Sequence, residues 1–134
     1  MKIIRNKYLP IKGFMCMNVL GLLFVREEVV LDDEILNHEG IHTAQQYEIV
    51  AISAMIAVAL STYYASWWYL LAILVQPILL YVLAWLIAVI LPPYDSAYYD
   101  SPFEREAYAN EHDPLYLAKR PWLAWVMYIF KKRK

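Results

Sequence analysis

The sequence predicts a mainly α, integral membrane protein, a two-helix transmembrane hairpin with a small N-terminal β element and a membrane-adjacent helical site, in one domain over 1–134. Three observations predict it. Of the 134 residues, 61% are hydrophobic, and the mean hydropathy is +0.37, well above a soluble domain's apolar share. Residues 49–93 carry no charged side chain, a run too long for one span and about right for two of roughly 20 residues each. Finally, the polar stretch 31–48 before that run carries the signals of a helix start.

Residues 1–12 are basic and end near Leu9-Pro10, so they read as an irregular or interfacial lead-in. From 14 to 30 the chain is rich in β-branched, aromatic and long apolar residues, with Arg26-Glu27-Glu28 as a turn; this suggests one or two strands, with a buried helix over 14–24 as the competing reading. Asn18 and Gly21 interrupt the apolar stretch and no small-residue cleavage site follows, so no signal peptide is expected. Cys16 is the single cysteine, which leaves neither an internal disulfide nor a Cys-type zinc site to build. Twelve basic and thirteen acidic residues nearly cancel to −1, and nothing in their distribution supports nucleic-acid binding.

In the polar stretch, Asp32 is the expected N-cap, Asp33 and Glu34 suit the positive end of the helix dipole, and Leu31 can staple to Leu36. The helix they start carries His38-Glu39-Gly40-Ile41-His42. Positions i and i+4 share a face, so both imidazoles can reach one tetrahedral Zn²⁺ while Glu39 stands beside its open position. Zinc lowers the pKa of a water to about 7, and a neighbouring carboxylate can take the proton as that water attacks a carbonyl. Gly40 allows another element to approach closely over the metal. Gln45 and Gln46 either line the same cleft or solvate a polar face.

The uncharged run is expected to form helices at about 47–63 and 68–91, the second kinked near Pro77, with the turn at 61–66 beside Trp67, Trp68 and Tyr69 at a membrane interface. Two spans return the chain to the side it left. Every lysine and arginine lies outside the run, so the positive-inside rule places both polar halves, the termini and the site in the cytoplasm. In the returning half, Ser101, Pro102 and Glu104 form an S-x-x-E capping box. Residues 121–130, followed by a basic tail, fit a segment lying in the interface of the lipid bilayer.

A catalytic zinc site normally takes three protein ligands and a water. The third is expected from Glu104, Glu106 or His112. Glu104 has a capping role, and His112 falls near a helix end; Glu106 has no other task and sits at i−4 from Asn110, which can hold a ligating carboxylate or a histidine N–H.

His38-Glu39-x-x-His42, the membrane hairpin and Glu106-Ala107-Tyr108-Ala109-Asn110 resemble the integral-membrane gluzincin metallopeptidases, whose second motif is E-x-x-A-D, and related antibiotic-sensor metallopeptidases. Asn110 departs from that motif's aspartate, and the chain is far shorter than typical members. It also resembles a small bacterial membrane family with N-H-E-x-x-H and F-E-R-E-A-Y motifs, which implies no substrate. The gluzincin resemblance implies a zincin-like site with His38, His42 and Glu106 as zinc ligands, Glu39 as general base, and a peptide or membrane-protein substrate. An exposed strand near 14–25 would pair with an extended substrate. Two other classes stand beside this one: a non-catalytic protein that uses zinc to staple its halves, and a metal-free membrane sensor or partner.

Overall fold

The computed structural model describes residues 1–10, 15–76, 79, 83 and 101–129. Three strands, β1 (Lys2–Asn6), β2 (Cys16–Val19) and β3 (Leu22–Arg26), precede one long helix, α1 (Asp33–Tyr63). A 3-10 turn at Trp67–Leu71 leads into an apolar helical segment that reaches Gln76. In the returning half, α2 (Pro102–Asn110) and the short α3 (Tyr116–Lys119) are followed by a 3-10 turn at Ala124–Tyr128. The chain is thus mostly helical with a small sheet. The second span expected over 68–91, with its kink at Pro77, lies mostly outside the described residues.

The sheet runs β1-β3-β2, with β1 parallel and β2 antiparallel to β3. The lead-in expected to be irregular is therefore a strand. Its register sets Lys2 against Leu22, and the Arg5 guanidinium closes the far end on the Val29 carbonyl at 2.8 Å. The β2–β3 hairpin turns on Leu20 and Gly21, with φ of +48° and +81°, the two left-handed residues a two-residue type I′ turn requires. Leucine is a poor residue for this conformation. Helix α1 holds it there: Gln46 Oε1 accepts from Leu20 N–H, and the Tyr47 hydroxyl donates to Leu20 O at 3.0 Å. A Cβ at Gly21 would lie 3.2 Å from the Tyr47 hydroxyl and 3.3 Å from Thr43 Cγ2.

Helix α1 starts where its cap predicts, with Asp32 Oδ1 accepting from Ile35 N–H at 2.8 Å. It does not stop before the apolar run; the motif helix and the first expected span are one continuous helix of 31 residues, about 46 Å long at 1.5 Å per residue. Its length and composition suffice to cross a membrane, and only 28% of its most apolar window is buried. Met55, Ile56, Val58, Leu60 and Tyr63 are exposed there.

The core of the polar half is where the sheet, the start of α1 and the returning helices meet. Leu23, Val25, Ile41, Phe103 and Ala107 are buried in it. Asn37 fastens the two halves together: its Nδ2 donates to the carbonyls of Asn110, Glu111 and Asp113 at 3.1, 2.8 and 2.9 Å, at the end of α2 and in the turn after it. Gly40 does allow a close approach, but to α3: a Cβ there would lie 2.7 Å from Leu117 Cδ1. Position 40 lies about 200° around the helix from His38, so this contact is not over the imidazoles.

Candidate metal centre

Three side chains converge between α1 and α2. His38 Nε2 and His42 Nε2 are 3.0 Å apart, and the Glu104 carboxylate sits 3.4 Å from each. A tetrahedral ion with bonds of about 2.0–2.1 Å separates its ligand atoms by about 3.3–3.4 Å; the carboxylate stands at that distance from each imidazole through a different oxygen, and the two nitrogens are a little closer.

The outer nitrogens decide what the inner ones can do. His38 Nδ1 lies 2.7 Å from Glu111 Oε2 and His42 Nδ1 lies 2.8 Å from Gln45 Oε1. The Gln45 amide is oriented by its own donors, since Nε2 gives to Phe103 O at 3.0 Å and Glu106 Oε2 at 2.9 Å. Both partners of the histidines are therefore acceptors, and both Nδ1 atoms carry the proton. When neutral, each imidazole turns a bare Nε2 lone pair inward, toward a carboxylate that is 3% exposed. Glu104 Oε2 is buried without a hydrogen-bond donor. Three acceptors facing one another need a cation between them, a proton or a metal.

The electrostatics agree. Burial alone would raise the Glu104 carboxyl, but the His38 and His42 imidazoles outweigh it and hold the group at about 2. Burial would likewise lower both histidines, yet Glu104 beside them, with Glu111 at His38 and Gln45 at His42, leaves each above its ordinary value. Glu39 is pushed up by its own burial, against the pull of the two imidazoles. A carboxyl raised in this way is better matched to taking and returning a proton near neutral pH.

Glu106, the expected third ligand, is not the carboxylate that converges with the histidines. Glu106 is fully buried, but its carboxylate is taken by Arg120 Nε and Nη2, the Tyr116 hydroxyl at 3.0 Å and Gln45. Glu104 stands in the place expected for it. Ser101 Oγ does cap the helix, accepting from Glu104 N–H at 3.3 Å, but only the backbone of residue 104 is needed for that, and its side chain is free to meet the histidines. Asn110 holds neither carboxylate nor imidazole; its Nδ2 donates to Glu106 O and the Tyr128 hydroxyl. His112 lies outside the centre, 72% exposed and 3.1 Å from Glu34, where with Glu111 it forms a second, mostly exposed group of ligand atoms.

Several functional positions carried little signal in the sequence. Glu111 and Gln45 orient the histidines, and Tyr108 sets its ring edge-on to His38 at 4.8 Å. Nothing in the sequence set Arg120 apart from Lys119 beside it. On the other side, β2 is an edge strand of the sheet. Much of that edge is already taken, because Gln46 Nε2 donates to Asn18 O and Gln46 Oε1 accepts from Leu20 N–H. Alternate residues point their backbone groups the same way, so Cys16 is left as the β2 residue with outward pairing groups.

No family model, no curated protein and no solved structure matches this chain.

Proposed function

We propose that the chain is a membrane-bound zinc metallopeptidase, with His38, His42 and Glu104 as zinc ligands and Glu39 as general base. The observation that carries it is the convergence of His38 Nε2, His42 Nε2 and the Glu104 carboxylate, with an acceptor, Glu111 or Gln45, behind each imidazole. Zinc bound there supplies Lewis acidity, acidifying a water and polarising a carbonyl. The chain's residues do the rest. Glu39 accepts the proton of the attacking water and returns it to the leaving amine, while Glu111 and Gln45 keep the imidazoles oriented.

A site that merely stapled the halves would be closed by a fourth protein ligand. Among the described residues, the group that converges here comprises His38, His42 and Glu104, which favours a position left for water. The long apolar exposure of α1 and the basic residues confined to the polar halves support a bilayer location with the site on the cytoplasmic side. The likeness to the integral-membrane gluzincins belongs to this reading, with Glu104 replacing Glu106 as the third ligand.

The test is zinc content and proteolysis in the detergent-purified full chain and in membranes that carry it. Wild type should hold about one zinc per chain, and His38→Ala should lose it. Glu39→Gln should keep zinc while cleavage falls by at least about 100-fold, the lower end of general acid–base contributions. Zinc retained in His38→Ala would refute the site, and full cleavage by Glu39→Gln would refute the base.

A further inference from the structure

Behind the metal centre lies a buried charge cluster that the proposed chemistry does not use. The Arg120 side chain, 5% exposed, lies between Glu48 and Glu106, which are 5% and 0% exposed. Its fork reaches both oxygens of Glu48 and both of Glu106. Glu48 also accepts from Leu123 N–H at 2.8 Å. From this cluster an unbroken line of hydrogen bonds runs to the metal face of α1: Arg120 to Glu106, Glu106 Oε2 to Gln45 Nε2, and Gln45 Oε1 to His42 Nδ1.

We infer that Arg120, acting through Glu106 and Gln45, is a positioning residue that sets the His42 tautomer and sorts the two carboxylates of α2, sending Glu104 to the metal and Glu106 to the guanidinium. The inference rests on the metal reading above. A glutamine amide can be turned either way, and the two ways have opposite consequences. With its oxygen toward His42, Nδ1 keeps the proton and Nε2 is free to ligate. Reversed, its NH₂ would face Nδ1, move the imidazole proton to Nε2 and block ligation. Two acceptors, Phe103 O and Glu106 Oε2, hold Gln45 in the first orientation. Glu106 is held in turn by Arg120 and Tyr116. The guanidinium suits this task because its planar fork can engage two carboxylates at once, which an ammonium cannot do.

The experiment uses the full chain in mild detergent, loaded with Co²⁺ for its d–d absorption and titrated with zinc against a competing chelator. Gln45→Met keeps the length of the side chain but removes the acceptor for His42; Arg120→Met removes the anchor. Each should weaken zinc binding by about 10–100-fold, the usual cost of losing a partner behind a ligand, and each should shift the Co²⁺ bands. Because both act along one line, the double variant should lose little more than the worse single one. Wild-type bands and zinc affinity in both single variants would overturn the inference, as would losses that multiply in the double variant. If Arg120→Met does not fold, Arg120→Lys should move the same two readouts in the same direction, and wild-type values in it would overturn the role of Arg120. A failure of the metal reading shows differently, as a wild-type chain that takes up neither ion.

Discussion

Exchanging the two α2 carboxylates one at a time gives the sharpest test of the site. In Glu104→Gln the inward-facing anion is lost. Glu104 is held at about 2 rather than 4.5, a difference of about 3 kcal/mol at about 1.4 kcal/mol per unit, carried by the two imidazoles beside it. Zinc depends on the same charge at closer range. Partners one step behind a ligand are worth about 10–100-fold in affinity, so removal of the ligand itself should exceed about 100-fold. Glu106→Gln should behave otherwise. It costs stability, because Arg120 keeps only Glu48 as a full counter-charge, and breaking a buried pair typically costs about 3–5 kcal/mol. Its amide oxygen can still accept from Gln45, so the zinc stoichiometry stays at the wild-type value. The assay is zinc per chain after dialysis against a weak chelator, with the melting temperature of the metal-free protein measured beside it. Zinc lost in Glu106→Gln but kept in Glu104→Gln would refute the assignment and restore the sequence-based one.

Zinc affinity should rise with pH through the raised histidine values and level off above them, because metal must displace the protons that Glu104 draws onto the imidazoles; affinity flat from pH 5 to 8 would contradict the geometry. In the metal-free chain the sign is the reverse. The raised histidines stabilise the fold below their ordinary 6.5 and lose that contribution as pH rises through their folded values, whereas Glu104 stabilises above its ordinary 4.5 and loses that contribution as pH falls toward about 2. These are two views of one interaction, so urea melts of the metal-free protein should place its stabilising window between those limits. Leu20→Asn, which creates the Asn-Gly pair preferred in a type I′ turn, should stabilise by about 1 kcal/mol in the same melts, and a loss of stability would show that α1 holds leucine there for its side chain. Cysteine labelling of intact cells at 61–66 should find that turn on the side opposite residue 101; labelling of both from one side would rule out α1 as a span.

What was legible in the sequence was what is decided locally. The N-cap at Asp32, the i,i+4 histidines and the proline start of α2 each depend on a few neighbouring residues, and each stands where the pattern places it. The hairpin was harder to read because its turn contains leucine, whose left-handed backbone is stabilised from Gln46 and Tyr47, more than twenty residues away. The lead-in 1–12 showed no alternation, and β1 forms because β3 offers it a parallel edge. That Glu104 rather than Glu106 converges with the histidines has a physical reason. Positions 104 and 106 differ by about 200° around a helix, so only one can meet the two histidines. Assigning Glu104 to the cap treated its side chain as spent, although the cap needs only its backbone N–H. The face could have been read from spacing: Glu104, Tyr108 and Glu111 fall at i, i+4 and i+7, and all three touch or approach His38. Glu106 shares its face with Asn110 and meets Gln45 and Arg120 instead.

The merging of the motif helix with the apolar helix has a consequence for the substrate. Ile49, where the uncharged run begins, is seven residues beyond His42, about 10 Å along the axis. Between them stands Glu48, buried and held by Arg120, so the last charge on α1 before the apolar run is fixed in place by the returning half. If α1 spans the bilayer, the reacting atoms sit about two helical turns from its edge, at a height set by a rigid helix with no hinge between site and membrane. A soluble peptide gains nothing from that placement. A segment tethered to the same bilayer, emerging in extended form within about 10 Å of the surface, arrives at the right height without searching. Gln46 occupies the outer edge of β2 at Asn18 and Leu20, and among the described residues the outward groups of Cys16 are the ones left to receive it. If the proposed peptidase reading holds, the preferred peptide bond should lie in the first few residues outside a membrane span, and moving it farther out along an otherwise identical membrane-anchored substrate should reduce cleavage.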